Sequence, residues 1–531
     1  MANKNRSSPS PTTPKLMETN GFSLMNEDLL RNILSRLPAT SFASAATVSK
    51  TWNAACCHIL SRPKFSSAIS LKPLPLVALQ EVFDKVMSEP IRPHFAIASV
   101  GPGFEIKDVL QFMVEKVGSR TPIIVSSVKG ILGRDALSHE FREVKWIDGN
   151  IDEVPVNTGI VLTVGFVPGL KVDVIPLLGQ RKAPQGSMTD KFVQDIKSYT
   201  SSMSGCTSPQ AIIMIGDGSV DQKPILEKLD YAMSMETIIV GDERGQFVYR
   251  SSDVSRNVST NKKHSPDAVA LVFARDRNKA CGIGNIEFHF ALSKGVSAIG
   301  PRLKAASVRV QDSYTVTWLT ARREGQQEIL DGQQMLEDID NEMENNMDCV
   351  DLYIGVTRRR NCSVGSDKPR MMTTLALHGI EGGDSEYLYV DGVGIRTGDY
   401  FQFYHSDPKT ALSSSRSVSS TLRKLKLDWD SKSSLSKSTI INAVDKKEAF
   451  GGFIFSCLGR GESFFGQLNV DSSPFLDNFP GVPVAGTFCG GEIGRGCTSL
   501  TANGDEGGSA RCHLHAYSTV YLVMSYTPPE H

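Results

Sequence analysis

The chain has 531 residues, 40% of them hydrophobic, with 57 Lys and Arg against 58 Asp and Glu and a net charge of −1. That length suggests about three domains of ordinary soluble composition. A balance this even makes the whole chain a poor polyanion binder, so nucleic acid is not an expected partner. No run approaches the ~18–20 apolar residues of a membrane helix. The longest uncharged stretch, 154–170, is broken by Pro155, Asn157, Gly159, Gly165, Pro168 and Gly169 and reads as buried strand plus turns.

Residues 1–20 are polar, carry Pro9, Pro11 and Pro14, and read as a disordered tail. Their Ser-Pro and Thr-Pro steps offer phosphorylation sites or merely a tail. With no apolar signal region, the expected location is cytoplasmic, nuclear or both. The ten cysteines are scattered, apart from Cys56 and Cys57, and are expected to be free thiols in a reducing compartment.

Residues 21–66 form the first compact unit. Leu29, Leu30, Ile33, Leu34 and Leu37 recur at helical spacing, with Glu27 and Asp28 at the positive end of the helix dipole and Pro38 ending it. A second helical segment places Phe42, Ala45, Val48 and Trp52 on one side. The ordered string FSLMNEDLLRNILSRLP at 22–38, then ATSF, then VSKTWN at 48–53, resembles an F-box. Met25 stands where that family usually has proline. The resemblance implies docking on a Skp-type adaptor, and through it on a cullin and a RING subunit. It assigns the contact to Leu24, Leu29, Leu30, Ile33, Leu34, Leu37, Pro38, Val48 and Trp52. Some of these must form the module's own core, Trp52 and Val48 foremost. A unit this small buries little of its own surface, so a partner is expected to cover the rest. Residues 67–89 read as a linker.

From 90 to 305, apolar β-branched runs at 95–100, 122–126, 160–164, 211–215, 237–240 and 268–273 alternate with helical patterns at 106–117, 189–200 and 223–233. This order predicts an α/β domain, and strands without intervening helices imply a mixed sheet. From 306 to 531, strands are expected at 307–319, 371–377, 387–390, 400–404, 452–456, 484–487 and 517–526, with a helix at 329–341. The Ser-rich, locally basic insert 406–438 reads as a flexible loop. The fold class is therefore multidomain α/β (α+β), a small helical unit followed by a large two-part mixed-sheet region. The leucines show no leucine-rich-repeat period.

Complete Walker, dinucleotide-binding, zincin and nucleophile-elbow motifs are absent from the sequence. Near the C-terminus, GGFIFSCLGRG at 451–461, FPGVPVAGTFCGGEIG at 479–494 and HAYSTVYLVM at 515–524 stand out. Glycine lets backbone N–H groups approach a ligand closely. Arg460 offers a fork for a carboxylate or phosphate. Glu492 could accept from an amine or pair with Arg460, and Cys457 could stand at a pocket mouth. The candidate ligand or client residues are Cys457, Gly459, Arg460, Gly461, Gly491, Glu492 and Gly494. Equally, the glycines could make tight turns, Cys457 a core thiol, and Arg460 with Glu492 a structural ion pair. Together with GVSAIGP at 295–301 and ILDG at 329–332, these strings resemble the FIST domain, a sensory module found with F-boxes and in signalling proteins.

Cys489, Cys497, Cys512, His513 and His515 lack the paired short spacings of zinc ligands, so no metal and no cofactor are expected. The acidic stretch at 337–344 reads as a solvated helix face, and Arg358–Arg360 as an exposed turn or an aid to nuclear import. The resulting expectation is a non-catalytic substrate receptor of an SCF-type ubiquitin ligase. Its F-box would hold the adaptor, and its FIST region would hold a client bound for ubiquitination and proteasomal degradation, with a small ligand as a further candidate. The alternative is a cysteine-dependent enzyme or ligand-sensing scaffold built on Cys457, Arg460 and Glu492.

Overall fold

The computed structural model describes residues 26–146, 159–179, 185–257, 266–310, 316–344, 350–435, 446–496 and 511–529. The polar segment 1–20, Leu24 and Cys497 lie outside the described residues.

The first unit is three helices, Glu27–Leu34, Ala39–Ala45 and Lys50–Ile59. Asn26 opens the first by accepting from the Asp28 amide at 2.9 Å, and the Ser49 hydroxyl opens the third by accepting from the Trp52 amide at 3.2 Å. Leu30, Leu34, Phe42, Ala45, Ala55 and Cys56 form its core, with Leu37, Trp52 and Ile59 packed against it. The unit is seated on the rest of the chain. The Ala39 amide donates to the Met87 carbonyl at 2.9 Å, and the Ala39 side chain joins the cluster that holds Val82 and Phe83.

Residues 67–89 are not a linker. Strand Lys64–Ser70 pairs antiparallel along its full length with Ile160–Phe166, and helix Pro75–Val86 packs over both. Ala78, Leu79, Val82, Phe83 and Val86 make a buried stripe of helical period, which fixes the segment in the core.

The large region is layered. A ten-stranded mixed sheet runs in the order Lys64–Ser70, Ile160–Phe166, Phe95–Val100, Ile123–Ser127, Ile238–Arg250, Ala211–Asp217, Pro266–Arg275 and Leu170–Leu178, with Glu492–Arg495 and Leu514–His515 branching from it. A six-stranded sheet runs Asn285–Ser293, Thr519–Thr527, Glu448–Cys457, Val484–Cys489, Gly130–Arg134 and Phe141–Lys145. Their facing sides share one core, in which Phe95, Ile124, Ile213 and Phe273 of the first meet Phe290, Phe453, Phe455 and Leu522 of the second. Helices Pro75–Val86, Ile106–Val117, Gln185–Ser204 and Lys223–Ala232 cover the outer side of the first sheet. The layers are thus helix, sheet, sheet, helix.

The outer side of the second sheet is covered by helix Pro408–Leu435. This helix replaces the flexible loop expected at 406–438. Ala411, Ser415, Val418, Leu422, Leu425 and Trp429 are buried at spacings of three and four. Its many serines obscure a regular apolar seam that Phe475, Phe479 and Tyr521 complete from the other side.

A third, antiparallel set closes on itself. Leu352–Cys362, Tyr400–Ser406, Val296–Val310, Val316–Arg323, Leu388–Asp391 and Arg370–Gly383 follow one another, and the last pairs back on the first. The resulting barrel is filled by Leu319, Ile354, Val356, Phe401 and Phe403, with helix Gly332–Glu342 packed on it. The boundary expected at 305/306 falls inside strand Val296–Val310. The six-stranded sheet also draws strands from both sides of that boundary, so the two halves share a core. No helix among the described residues is long and apolar enough to cross a membrane.

Candidate functional site

The helical unit splits the apolar residues of its first helix between two faces. Leu30 and Leu34 are buried at 5% and 0% exposure. Leu29 and Ile33, one turn apart on another face, are 54% and 43% exposed, and Val48 before the third helix is 63% exposed. Leu37 and Trp52 are half-buried against the core, and Pro38 is exposed at the start of the second helix. Trp52 therefore serves the core as expected, whereas Val48 does not. Leu29, Ile33 and Val48 thus lie outside the unit's own core.

At the C-terminal end, parallel strands Glu448–Cys457 and Val484–Cys489 bring Cys457 and Cys489 into register. Strand Glu492–Arg495 then turns back onto Ile238–Arg250, setting Glu492 opposite Asp242. Cys457, half-buried, lies beside the fully buried Glu492. Arg460 does not pair with Glu492. It is fully buried and grips Asp471, Nη2 to Oδ1 at 2.6 Å and Nε to both oxygens at 3.0 and 3.1 Å. Its other donors reach the Tyr517 carbonyl at 2.8 Å and Ser293 Oγ at 3.0 Å, and its plane lies 4.9 Å from the centre of the Phe465 ring. Asp471 also accepts from Ser456 Oγ at 2.9 Å. A guanidinium this deep is stable only when paired and saturated, and Asp471 is the carboxylate that does so. Arg460 therefore ties four segments together and has no fork free for a ligand.

The glycines likewise admit structure, not ligand. A Cβ on Gly459 would lie 2.5 Å from the Tyr517 ring, one on Gly491 2.6 Å from Glu243 Oε2, and one on Gly494 2.8 Å from Val520. Gly461, at φ +116°, opens the short helix Glu462–Phe465 in a conformation that side chains avoid.

The electrostatics of the centre come from burial. Burial pushes the Glu492 carboxyl up to about 8, although its Oε2 accepts from the Ser518 hydroxyl at 2.8 Å and the Ser518 amide at 3.2 Å. Burial raises Asp242 to about 6, against hydrogen bonds from the Arg244 and Gly490 amides. Burial, with Glu492 alongside, drives the Cys457 thiol well above its ordinary value, and burial with Asp242 nearby does the same to Cys489. Neither sulfur has the low pKa that makes a thiol reactive.

A pH dependence follows. Folded, Glu492 keeps its proton to about pH 8, whereas an ordinary glutamate releases it near 4.5. Between those values the folded state binds more protons, so this group's contribution to stability is complete below about pH 4.5 and is lost as pH rises to 8. Glu492→Gln is expected to stabilise the chain at pH 8 by on the order of 2–4 kcal/mol and far less at pH 5. Thermal melts at the two pH values check this; an equal shift at both would show that the carboxyl is not held neutral.

Two groups of functional interest escaped sequence reasoning. Asp471 lies in a turn between the strings at 451–461 and 479–494, eleven residues after Arg460, and no recognised spacing links the two. Asp242 and Glu243 follow the apolar run 237–240, and acids continuing a buried strand are the one signal that could have marked them. Around Asp230 the fold gathers a further buried cluster. Arg495 Nε donates at 2.9 Å, and Arg511 Nη1 and His513 Nε2 lie 3.2 and 3.3 Å away. His515 Nε2 lies 3.0 Å from the Gly494 carbonyl instead.

Comparison with known proteins agrees with this architecture. Residues 22–62 match the F-box domain model, and residues 378–495 match the FIST C domain model. An Arabidopsis thaliana F-box/LRR-repeat protein is 45% identical over 509 residues, covering 95% of this chain and 93% of that one. Two uncharacterized Mycobacterium tuberculosis proteins are each 48% identical over 44 residues, 8% of this chain and 12% of theirs. The repeat in the Arabidopsis protein's name has no counterpart among the described residues here, whose strands join broad sheets and a closed barrel. The chain belongs to the F-box proteins that carry a FIST C-terminal domain.

Proposed function

We propose that this protein is the substrate receptor of an SCF-type ubiquitin ligase. The F-box docks a Skp-type adaptor, which brings the cullin and RING subunit. The sheet region holds a client protein, whose lysines are then presented to a charged ubiquitin-conjugating enzyme. The chain itself makes and breaks no bond. It raises the effective concentration of client near the transfer machinery, which by proximity alone is worth many orders of magnitude in rate. Ubiquitination leads the client to proteasomal degradation, in the cytoplasm or nucleus.

The observation that carries this reading is the uncovered apolar face of Leu29, Ile33 and Val48 on a module otherwise anchored to the molecule. The chemistry of the Cys457 centre opposes the cysteine-enzyme alternative, because both sulfurs are held as thiols and the neighbouring Glu492 is protonated near neutral pH. The same closure opposes a ligand seat at Arg460, whose donors are committed to Asp471, Tyr517 and Ser293.

The test is reconstitution. Purified full-length chain is mixed with a Skp-type adaptor, cullin, RING subunit, ubiquitin and the activating and conjugating enzymes. The expected result is a stable adaptor complex on size exclusion and ubiquitin transfer to a captured client. A chain lacking residues 22–62, which leaves strand Lys64–Ser70 whole, is expected to do neither. Undiminished transfer by the truncated chain would refute the receptor assignment.

A further inference from the structure

Strand Lys64–Ser70 stands first in the ten-stranded order and has a ladder on one side only, with Ile160–Phe166. Main-chain groups of alternate residues point to opposite edges of a strand. The Ile69 carbonyl accepts from the Ala136 amide at 2.9 Å, beside the bridge from Ile69 to Asp135, so Ile69 faces the outer edge. Phe65 and Ser67 face that edge with it. Among the described residues, neither their amides nor their carbonyls have a hydrogen-bond partner. An edge left open in this way is a template for another strand.

The open stretch looks into a hollow of about 360 Å³. One wall is the end of helix Pro75–Val86 and the turn after it, with Lys85, Val86 and Ile91. The other is the rim of the six-stranded sheet, with Phe450, Pro483 and Val484. Arg134 and Asp135 close the end nearest Ile69. From Phe65 to Ile69 the strand runs about 13 Å, at about 3.3 Å per residue, which is room for an added strand of about five residues.

The two walls differ in charge. Phe65 and Ile69 turn their side chains into the core between the sheets, whereas Ala68 packs in the cluster of helix Pro75–Val86. Lys64 shares the face of Ala68 and so points to the helix wall, where Lys85 stands. Lys85 Nζ lies 3.5 Å from His139 Nε2, and Arg134 Nη1 donates to the His139 carbonyl at 3.4 Å, so neither cation is spent on a carboxylate. Asp135 is committed elsewhere, since its Oδ1 accepts from the Leu137 and Ser138 amides at 3.0 and 2.9 Å. Lys64, Lys85 and Arg134 thus face one uncommitted carboxylate, Glu89, which lies near Lys64. The rim of Phe450, Pro483 and Val484 is apolar.

We propose that this edge is a docking surface, separate from Leu29, Ile33 and Val48, that takes an extended segment of another protein as an added strand in which Asp or Glu alternates with apolar residues. Alternate side chains of such a strand fall on the two walls. The acidic ones meet Lys64 and Lys85, with Arg134 at the end of the slot, and the apolar ones lie on Phe450, Pro483 and Val484. Main-chain bonds to Phe65 and Ser67 supply affinity for any strand, and the walls supply the choice among strands. A second copy of this chain is a poor occupant, because it would bring Lys64 and Arg134 against the same cations. The inference does not depend on the substrate-receptor reading.

The test uses the full chain and fluorescence anisotropy at physiological salt, about 0.15 M. The probe is a pool of fluorescein-labelled octapeptides that alternate Asp or Glu with Val, Ile, Leu or Phe. A second pool carries Lys or Arg in place of the acids. The acidic pool is expected to bind saturably and at least about tenfold tighter than the basic one. Lys64→Glu with Lys85→Glu is expected to weaken it about tenfold or more, with the melting curve unchanged. Ser67→Pro removes an outward amide and none of the bonds to Ile160–Phe166, and is expected to cost about tenfold as well. Should either variant melt early, hydrogen exchange on the unaltered chain replaces it. The Phe65 and Ser67 amides are then expected to exchange at least about tenfold more slowly with the acidic pool bound. An acidic pool that does not bind, equal affinity for the two pools, full affinity in a folded variant, or unchanged exchange at Phe65 and Ser67 overturns the proposal. So does self-association through this edge, read by light scattering as a dimer that Ser67→Pro abolishes.

Discussion

Leu29→Asp combined with Ile33→Asp is expected to abolish capture of a Skp-type adaptor while the full chain melts almost as before. Both side chains are about half exposed on the free protein, so aspartate there stays solvated and disturbs little. In the complex the same positions would be covered. Each lost Leu or Ile burial contributes ~1.5–3 kcal/mol, and desolvating two carboxylates adds to that. The sum weakens binding by a factor on the order of a thousand or more. Leu30→Asp and Leu34→Asp should behave differently. Those side chains are buried in the three-helix core, and an unpaired carboxylate there costs enough to unfold the unit. Both pairs of substitutions lose the adaptor, but only the second also loses the early part of the melting transition. Adaptor capture by a folded Leu29→Asp, Ile33→Asp chain would place the docking surface elsewhere.

Arg460→Ala is expected to destabilise the sheet region by ~3–5 kcal/mol, because it strands the Asp471 carboxylate in the core. Arg460 is fully buried and joins the segment after Glu448–Cys457 to Asp471, to Ser293 and to Tyr517. Arg460→Lys should recover only part of the loss, since an ammonium cannot reproduce the fork. Pairing Arg460→Met with Asp471→Leu should cost less than Arg460→Ala alone, because both charges then leave together. Denaturant unfolding of the variants checks the order. A ligand-binding role would instead appear as lost affinity with stability intact, and Arg460→Ala with unchanged stability would restore that possibility.

The elements most readable in the sequence are those whose residues interact locally or repeat with a clean period. Strand Phe95–Val100 and helix Ile106–Val117 coincide with their expected spans, because a short, mostly apolar run and an amphipathic stripe each report one geometry. The three-helix unit was legible for a further reason. Its Leu-Pro, Val-Ser-Lys and Trp positions form an ordered string within about 45 residues. Helix Pro408–Leu435 was not legible, since serine is neutral enough to hide a seam of six buried positions. Segment 67–89 was misread because a short strand and helix between two recognisable units look like a connection until their partners are known.

From the sequence alone came the class of the protein, its adaptor-binding module and the Cys457 to Glu492 neighbourhood, because these rest on residues close together in the chain. The tertiary structure alone decided that Leu29, Ile33 and Val48 face outward while Leu30 and Leu34 do not. It alone gave Arg460 to Asp471 rather than Glu492, and alone set the basic run Arg358–Arg360 not in an exposed turn but within strand Leu352–Cys362, beside helix Lys223–Ala232. The reason is physical. Side-chain period predicts that a face exists, but which face is covered and which charges meet depend on pairings between residues far apart in the chain, such as Arg460 with Ser293, 167 positions away, or Arg495 with Asp230, 265 positions away.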